Sequence, residues 1–384
     1  MAPLKLLIWM DIPSHHQSPF YQAIRASSID LVVHYHAALN PVRISMGWEH
    51  VTKLPAGEAF VNPSIDSLSQ CADWRERIHI VPGYGTVFTR TLAAYLSAQR
   101  VKWIHWSEPA QTGLRWWISY PRKRWYARLV NESALGAFAI GDLAARDFQK
   151  WGIRRSKIFL LPYASESIDQ VDERDPAIGA FTKDEHPVFL YLGSLCHRKG
   201  IDVLLHALRE LGPSPAPYCL VLVGKDLSGG RYQEMAARLG MSRKVLFRGA
   251  VPVSNIGAIL SCAHALILPS RFDGWGMVLS EAASLGKALI ATEACGAAHH
   301  LIVQGENGFR VPPNDATALA EAMRAYVADP MLSQRHGDRS RAIVRDYTPD
   351  RNVQRLVQGI REFESELRPK QAAAVTGDGN NAWN

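Results

Sequence analysis

The chain has 384 residues, 47% of them hydrophobic and 21% charged, which is the composition of a soluble globular protein with two domains of ordinary size. It has no run of 18 apolar residues and its five cysteines form no CxxC pair, so we expect neither a membrane-spanning helix nor a zinc site or disulfide framework. The formal net charge of +7 at pH 7 favours anionic partners, such as nucleotide diphosphates, anionic lipid or nucleic acid.

The first half of the chain predicts strands that alternate with helices, which implies a parallel sheet. The predicted strands are 4–10, 29–35, 78–81, 101–106, 137–140 and 159–161. The apolar run of the first strand stops at Asp11 and is too short for the hydrophobic region of a signal peptide. Together with the scattered cysteines, this predicts a protein of the reducing cytoplasm.

Polar side chains follow two of these strands, at the edge where open α/β sheets bind ligands. The loop after the first strand presents His15 and His16, and the fourth strand leads through His105 to Glu108. We interpret these four residues as acceptor-binding or cleft residues. The alternatives are a solvated polar loop for the first pair and a structural core histidine for His105. Trp48, in an irregular loop after the second strand, is a further acceptor contact or a packing anchor.

The stretch between Arg115 and Arg128 contains five basic residues, five aromatic residues and no acid. Trp and Tyr side chains suit a membrane interface, and Arg and Lys attract anionic headgroups or phosphates. We therefore expect this stretch to bind an anionic membrane surface or a lipid phosphate. The alternatives are an ordinary helix with a solvated basic face and, least favoured, nucleic acid stacked on the aromatic rings.

The second half follows a polar, acidic segment over 165–186 that lacks sustained periodicity and predicts a linker with room for a short helix. A new strand series then starts at Val188, and its first member runs into the loop GSLCHRKG at 193–200. Arg198 and Lys199 in this loop stand beside the start of a predicted helix. Cationic side chains at a helix N-terminus bind a diphosphate well, whereas the alternative is a basic surface turn.

The stretch 269–286, PSRFDGWGMVLSEAASLG, predicts a glycine-rich loop between a buried strand and a helix. Gly274 and Gly276 allow the backbone to approach a ligand closely, and the helix N-terminus offers free N–H groups to a phosphate or a sugar hydroxyl. Asp273 and Glu281 lie eight residues apart, one in the loop and one in the helix, so both can face one ligand from different depths. The alternative is a simple turn with an exposed Asp and a helix-surface Glu.

Three motifs in order carry a resemblance to a known family: GSLCHRKG at 193–200, FRG at 247–249 and DGWGMVLSE at 273–281. They resemble the G-x-L-x-x-x-K-G loop, the nucleotide-base strand and the E-x7-E signature of the retaining glycosyltransferases of family 4. The resemblance implies an α/β fold of the GT-B type, in which two Rossmann-like domains have parallel sheets that face each other across a cleft.

On this resemblance we expect an acceptor-binding domain, a linker, a donor-binding domain, a helix that crosses back to the first domain, and a disordered tail. Their expected bounds are 1–164, 165–186, 187–346, 347–367 and 368–384.

In the family, the first acid and the loop amides after it hold the donor sugar, and the second acid holds the ribose of the nucleotide. The residues that the resemblance places near the donor sugar are Asp273, Gly274, Trp275, Gly276 and Met277. Glu281 corresponds to the acid at the ribose. The first acid of the signature is Glu in the family, and this chain has the shorter Asp273 in its place.

The family's phosphate-binding lysine matches Lys199. Many members have Arg directly after the first glycine, where this chain has Ser194, so Arg198 is expected to supply the second cation. The backbone of Arg248 is expected to contact the base. On the resemblance, the catalytic set is Lys199, Arg198, Asp273 and Glu281, and Gly193, Ser194 and Arg248 join the donor site.

The resemblance implies a retaining glycosyltransferase that moves a hexose-type sugar from a nucleotide-sugar donor to the hydroxyl of a sugar or a lipid-linked sugar, in bacterial polysaccharide, lipopolysaccharide or glycolipid assembly. The donor is a substrate and no cofactor is expected. No D-x-D motif occurs, so a metal is not needed if Lys199 and Arg198 neutralise the diphosphate. The mechanism usually assigned to the family lets the leaving phosphate take the acceptor's proton. The expected location is the cytoplasm, peripheral on the inner face of the plasma membrane.

Three other functions stay open at this point. One is transfer to a soluble small-molecule acceptor. Another is a non-catalytic nucleotide-sugar-binding scaffold, which the D-x7-E variant and the missing arginine would fit but the retained Lys199 and Glu281 argue against. The third is a GT-B phosphorylase or epimerase.

Overall fold

The computed structural model describes residues 3–38, 44–45, 53–111, 113–168, 173–182, 187–212 and 217–367. The predictions made for Trp48 and for the tail at 368–384 lie outside these residues. Within the described ranges the strands form two sheets, one in each half of the chain.

The first sheet is built from seven strands. They are β1 (Leu4–Met10), β2 (Ile29–Tyr35), β3 (Glu58–Phe60), β4 (Ile78–Pro82), β5 (Trp103–Ser107), β6 (Gly136–Ala139) and β7 (Ile158–Leu160). Their order in the sheet is β3-β2-β1-β4-β5-β6-β7, and every neighbouring pair is parallel. The sequence predicts all of them except β3, which has three residues.

The second sheet is built from six strands. They are β8 (Val188–Leu192), β9 (Cys219–Val223), β10 (Val245–Gly249), β11 (Ala265–Leu268), β12 (Ala288–Thr292) and β13 (Gly308–Val311). Their order is β10-β9-β8-β11-β12-β13, again with parallel neighbours. In each sheet the strand order reverses beside the first strand of that half, and such a switch point leaves a crevice at the carboxyl ends of the strands.

Helices follow most strands, as parallel connections require. In the first half they are α1 (Ser18–Ala26), α2 (Val87–Ala98), α3 (Leu114–Ile118), α4 (Tyr120–Ser133) and α5 (Gly141–Trp151). In the second half they are α6 (Pro176–Thr182), α7 (Ile201–Glu210), α8 (Arg231–Arg238), α9 (Ile256–Ser261), α10 (Met277–Ser284), α11 (Ala298–Leu301), α12 (Ala316–Ala328), α13 (Pro330–Val344) and α14 (Pro349–Leu367).

The strands are apolar on both faces because both faces are covered. Every residue of β9, β11 and β12 is buried, as is typical of a parallel sheet between two layers of helices. Each Leu or Ile buried in this way stabilises the fold by roughly 1.5–3 kcal/mol. One face of the first sheet has its own core, which includes Trp9, Trp103 and Trp151.

The last helix, α14, returns to the first half of the chain and packs against α1. Its Phe363 ring lies 5.4 Å from the ring of Phe138, and the Asn352 amide donates a hydrogen bond of 2.5 Å to the Pro162 carbonyl. The end of the described chain is therefore anchored to the first sheet. Among the described residues, no helix combines the length and the apolar character needed to cross a membrane.

Candidate active site

The loop between β11 and α10 lies against the loop after β8, and an ion pair joins them. The Lys199 ammonium is 2.5 Å from the Asp273 carboxylate, and both side chains are mostly buried. The two motifs that the sequence marks separately are thus in direct contact. A cation and an acid lie together at one strand edge, beside the N-terminus of α10. The cation and the helix N-terminus can bind a phosphate, and the acid can accept a hydrogen bond from a sugar hydroxyl.

Arg271 fixes these two loops to each other. Its guanidinium donates to both Asp202 carboxylate oxygens, at 2.8 and 2.7 Å, and to the His197 carbonyl at 2.6 Å. The paired charges lower the pKa of Asp202, although burial opposes this. Sequence reasoning missed Arg271, because nothing local distinguishes it from a solvated arginine beside the glycine-rich loop.

Arg198 is exposed, and its guanidinium donates to the Phe272 carbonyl at 2.8 Å. Its own carbonyl accepts from the Arg271 N–H at 2.8 Å. Arg198 therefore lies on the donor loop, one residue from Lys199, and its remaining N–H donors are available to an anion there. Its role as the second cation of the donor site stays a prediction.

Gly193 and Ser194 follow directly after β8. The Tyr191 hydroxyl donates to the Ser194 carbonyl at 2.8 Å, which fixes the turn. Ser194 is half-buried and its hydroxyl lies 4.0 Å from the Cys196 sulfur. The short serine side chain carries no charge, so the positive charge of this loop comes from the residues at its other end.

Glu281 lies inside α10 and is 9% exposed. Burial raises the pKa of its carboxyl to about 7. The His16 ring nitrogen Nδ1, in the loop after β1, is 3.5 Å from a Glu281 carboxylate oxygen. This contact joins the two halves of the chain across the cleft.

A cavity of about 570 Å³ opens at Glu281. Its lining includes both histidines of the first loop, His15 and His16, whose ring centroids are 3.8 Å apart. Residues 253–258, after β10, and Met277 also line it. A cavity lined by a carboxylate and by the residues of a chain segment after a strand has suitable groups for a ribose and a base.

Glu108, after β5, comes from the first half of the chain and reaches the donor loop of the second. A Cβ atom built on Gly274 would collide with the Glu108 carboxylate, so the two groups are in close contact. Glu108 as a whole residue is exposed, but protein atoms surround its carboxyl group. This desolvation and the charge of Asp273 raise the pKa of Glu108 to about 7, against the opposing effects of a Tyr163 hydrogen bond and of Lys199.

A second cavity, of about 650 Å³, lies on the first sheet's side of this contact. Glu108, Asp11, His16, Tyr163 and Met277 are among its lining residues. Met277 and His16 also line the cavity at Glu281, so the two cavities are neighbours. The expected acceptor side and donor side thus meet at Met277, Gly274 and Glu108.

The assignment of His105 to the cleft is wrong, because its side chain lies in the core of the first sheet. It is fully buried, with Nδ1 3.3 Å from the Tyr126 hydroxyl and Nε2 2.9 Å from the Ser107 hydroxyl. Burial lowers its pKa to about 3. Its side chain points to the core face of the first sheet, where Phe148 and Trp151 surround it, so it is a satisfied structural histidine.

The Trp275 side chain is also placed in the interior, 1% exposed, although its backbone belongs to the donor loop. Its ring lies 5.2 Å from His300 and 6.4 Å from Tyr163 and Tyr347. Gly276, which follows, has φ +93° at the start of α10, a backbone conformation that suits glycine. Any ligand contact of Trp275 in this conformation is through its backbone.

Arg248, whose backbone was expected to contact the base, binds the linker through its side chain. Its guanidinium donates to both carboxylate oxygens of the buried Asp175, at 3.1 and 3.2 Å. Of the segment after β10, residues 253–258 line the Glu281 cavity, and Arg248 is not among the described lining residues. The expected backbone contact of Arg248 with the base stays a prediction. The pair lowers the pKa of Asp175, against the effect of burial, and ties β10 to the start of α6.

His300 and Gly141 form a contact between the halves that sequence reasoning missed. The Asp142 N–H, in the first turn of α5, donates to His300 Nε2 at 3.0 Å. A Cβ atom on Gly141 would lie 2.8 Å from the Trp275 ring and 2.9 Å from His300 Nε2. The sequence signal that could have found it is ACGAAHH at 294–300, a loop after β12 that contains two histidines but indicates no partner for them.

The stretch between Arg115 and Arg128 covers parts of α3 and α4. Lys123 is fully buried, with its ammonium 4.0 Å from the Trp116 ring centroid, so it is not available to headgroups as the sequence suggested. Burial lowers its pKa to about 8. The exposed large apolar side chains are Trp117, Ile118 and Trp125, at 67, 66 and 45%.

Within the described ranges no three His, Cys, Asp or Glu side chains are grouped as metal ligands would be.

Comparisons with known proteins give a family match in the second half of the chain. Residues 174–343 match the family model of the glycosyl transferases group 1. The lipopolysaccharide core biosynthesis mannosyltransferase LpcC of Rhizobium leguminosarum bv. viciae is 32% identical over 158 residues, which are 40% of this chain and 44% of that protein. The alpha-D-kanosaminyltransferase of Streptomyces kanamyceticus is 24% identical over 57% of this chain and 58% of its own length. The chain thus matches only part of each curated relative.

Among solved structures, the Anabaena protein Alr3699/HepE in complex with UDP superposes with a TM-score of 0.74 at 18% identity, covering 93% of this chain and 100% of that one. At this identity the likeness shows the fold alone. It confirms the predicted GT-B architecture of two Rossmann-like domains with parallel sheets on either side of a cleft.

Proposed function

We propose that the chain is a nucleotide-sugar-dependent glycosyltransferase, because residues 174–343 match the family model of the glycosyl transferases group 1. The observation that carries the proposal is the convergence of Lys199, Asp273 and Glu281 at one edge of the second sheet, beside two adjoining cavities. The reaction would transfer a hexose-type sugar to an acceptor hydroxyl, with net retention at the anomeric carbon.

The donor's diphosphate would lie between Lys199 and the N-terminus of α10. Lys199 pairs with Asp273 at 2.5 Å and would exchange that partner, wholly or in part, for phosphate oxygens. Arg198, on the same loop, supplies further N–H donors. These cations would stabilise the charge that develops on the leaving nucleoside diphosphate, which is the largest electrostatic demand of the transfer.

The sugar and the ribose would lie on either side of Met277. The backbone at Gly274 is supported as a sugar contact by its close approach to Glu108, which lines the acceptor-side cavity, and Asp273 precedes Gly274 in the same loop. Glu281 is supported as the ribose contact by its burial at the end of the neighbouring cavity. As a carboxylate it would accept hydrogen bonds from both ribose hydroxyls.

Thermal shift with UDP-, GDP-, ADP- and dTDP-sugars tests the donor site. One nucleotide should stabilise the wild-type protein, by about 2.7 kcal/mol when its concentration is 100 times Kd. Lys199→Met should weaken the binding of that nucleotide by roughly 1.5–3 kcal/mol, which is the contribution of a hydrogen bond to a charged group. Lys150→Met, on the exposed end of α5, is the matched control. A folded protein that responds to no nucleotide would contradict the donor site, whereas one that binds a nucleotide sugar but turns none over would favour the scaffold function.

Turnover is measured as release of the nucleoside diphosphate, with the anomeric proton of the product followed by NMR. A product that keeps the donor's anomeric configuration supports retention, and the opposite configuration refutes it. Turnover that requires inorganic phosphate would favour a phosphorylase instead.

We propose bacterial polysaccharide, lipopolysaccharide or glycolipid assembly as the setting, since LpcC is named for lipopolysaccharide core biosynthesis. A lipid-linked acceptor is supported by the exposed surface of Trp117, Ile118 and Trp125, with the exposed Arg122 and Arg128 nearby in sequence. Aromatic side chains and arginines are the pair of features that bind an anionic membrane surface.

Flotation with phosphatidylcholine vesicles, with and without phosphatidylglycerol, tests the membrane proposal. The wild type should float only with the anionic lipid, and Trp117→Ala/Ile118→Ala should remain at the bottom of the gradient. Met331→Ala, which removes another exposed apolar side chain from the second domain, is the control. If the Trp117→Ala/Ile118→Ala variant floats as well as Met331→Ala, the surface of Trp117 and Ile118 does not bind the membrane. That result would favour a soluble acceptor.

A further inference from the structure

A third cavity, of about 730 Å³, lies at the carboxyl edge of the first sheet, and we call it the outer cavity. Its lining comes from the segments that follow β1, β2, β3 and β4. It shares Asp11 and Thr86 with the cavity at Glu108, which in turn shares Met277 with the cavity at Glu281. The three cavities therefore lie in a row that begins at the expected ribose site and ends at the outer cavity.

The outer cavity offers mostly apolar surface to a ligand. Val87, the first residue of α2, lines it and is 73% exposed, the largest exposed fraction among the large apolar side chains that the structure describes. Ile65 and Phe88 line it as well. A ligand group that covers Val87 removes apolar area from water, which favours binding.

The hydroxyl groups of the outer cavity already have partners in their own segments. The Thr86 hydroxyl oxygen accepts from the Thr89 N–H at 3.1 Å. The Ser64 hydroxyl donates to the Asp66 carboxylate at 3.0 Å, and the Thr91 hydroxyl donates to a backbone carbonyl of its own helix at 3.0 Å. A sugar ring in this cavity would have to compete with these hydrogen bonds, whereas an apolar group leaves them in place.

The charges around the outer cavity and the cavity at Glu108 disfavour an anion. None of their described lining residues is Lys or Arg, whereas the acids Asp11 and Glu108 are among them. His36 Nδ1, in the outer lining, lies 3.7 Å from the Asp11 carboxylate, so an anion would compete with that acid for it. Arg90 of α2 donates to two carbonyls of the preceding loop, at 2.7 and 3.3 Å. A phosphate in these cavities would face acids without a permanent cation from the described lining.

We propose that the outer cavity binds the apolar aglycone of an uncharged glycoside acceptor, whose sugar lies in the cavity at Glu108. The inference rests on the proposed glycosyltransferase function and names the class of its acceptor. One molecule spans both cavities, because Asp11 and Thr86 belong to both linings. An alkyl or aryl group on the anomeric oxygen of the acceptor has the chemistry that this lining favours. A phosphate on the same oxygen does not.

The test compares methyl, butyl and octyl glycosides of glucose, galactose and mannose, below their critical micelle concentrations, with the 1-phosphates of the same sugars. Binding is measured by ligand-detected NMR, and turnover by release of nucleoside diphosphate from UDP- and GDP-sugars. For at least one sugar, the wild type should bind the octyl glycoside at least about 10-fold more tightly than the methyl glycoside, since each buried methylene contributes about fourfold. The 1-phosphate should bind more weakly than the octyl glycoside.

Val87→Asp is the test variant, and Val303→Asp, which changes an exposed valine in the second half of the chain, is its matched control. An acid suits the first turn of a helix, so Val87→Asp is expected to fold. It should remove the preference for the octyl chain and leave binding of the methyl glycoside and nucleotide-induced stabilisation as in wild type. Trp117→Ala/Ile118→Ala should keep the preference, which separates the outer cavity from the exposed apolar surface of α3.

Three results would overturn the inference. One is equal affinity for the methyl and octyl glycosides, and another is tighter binding of the 1-phosphate. The third is a preference for the octyl chain that Val87→Asp keeps or that Val303→Asp loses equally. If Val87→Asp does not fold, Thr91→Asp, one turn further along α2 in the same lining, replaces it with the same expected result. A wild type that no nucleotide sugar stabilises and that turns none over removes the proposed function as well, and this is recognised before any glycoside is added.

Discussion

Replacing Glu281 by Gln should stabilise the fold at pH 8 while it removes the nucleotide site. The side chain is almost fully enclosed in α10, and burial moves its carboxyl pKa from the ordinary 4.5 to about 7. A pKa difference of this size means that ionisation of the buried group costs the folded state about 3 kcal/mol. Gln keeps the shape of Glu and carries no charge, so the variant avoids this cost.

The sign follows from which state holds the proton more tightly. The folded protein has the higher pKa, so the free energy of unfolding falls as the pH rises from about 4.5 to about 7, and stays low above that. The variant's advantage should therefore reach up to about 3 kcal/mol at pH 8 and fall below about 1 kcal/mol at pH 5. His16, 3.5 Å away, offsets part of the cost whenever it is protonated, which makes the figure at pH 8 an upper limit.

Urea denaturation at pH 8 and pH 5 measures the difference, with Glu132→Gln as a control for the loss of one carboxylate. Thermal shift with the nucleotide that stabilises the wild type then shows whether the site is lost. The reasoning is refuted if the variant is less stable than wild type at pH 8, because the carboxylate would then be making contacts that more than offset its burial. It is also refuted if the variant still responds fully to the nucleotide.

Two further substitutions test contacts between segments that are distant in sequence. Gly141→Ala should force the first turn of α5 away from Trp275 and His300, which should lower the free energy of unfolding by about 1–3 kcal/mol. The expected results are a lower melting temperature and a larger radius of gyration by small-angle scattering. Wild-type values of both would contradict this prediction. Arg248→Met leaves the buried Asp175 carboxylate unpaired and should cost about 1–3 kcal/mol at pH 7. Because the pair lowers the pKa of Asp175, this loss should shrink as the pH falls and Asp175 becomes protonated, and a loss independent of pH would contradict the assignment.

The sheets were predictable because buried parallel strands are short, continuous apolar runs. VFLYL and ALIAT, for example, lie on β8 and β12, and each is bounded by residues that end a strand. The strand β3 was not predicted because its sequence, EAF, is too short to show any periodicity. The motif spacing also brought Lys199 and Asp273 to one strand edge, although it said nothing of their direct pairing.

The direction of individual side chains was not predictable in the same way. His105 and Glu108 are three residues apart at the end of one strand, yet one lies in the core and the other in the cleft. Alternation along a strand tells which residues share a face, but when both faces are buried it does not tell which face lies where. Trp275 illustrates a second limit, since its side chain is drawn inward by Tyr163, His300 and Tyr347, which are distant in sequence.

The polar groups of the cleft share one property that shapes how a donor would bind. Lys199 pairs with Asp273, His16 approaches Glu281, and Tyr163 hydrogen-bonds to Glu108. A ligand that engages any of these side chains must replace an existing partner, so its affinity reflects the difference between two sets of contacts. A nucleoside diphosphate sugar does this in a coupled way: phosphate oxygens that attract Lys199 release Asp273, which then accepts from sugar hydroxyls. A nucleoside monophosphate that does not reach Lys199 would leave the ion pair intact and would gain only the contacts at Glu281.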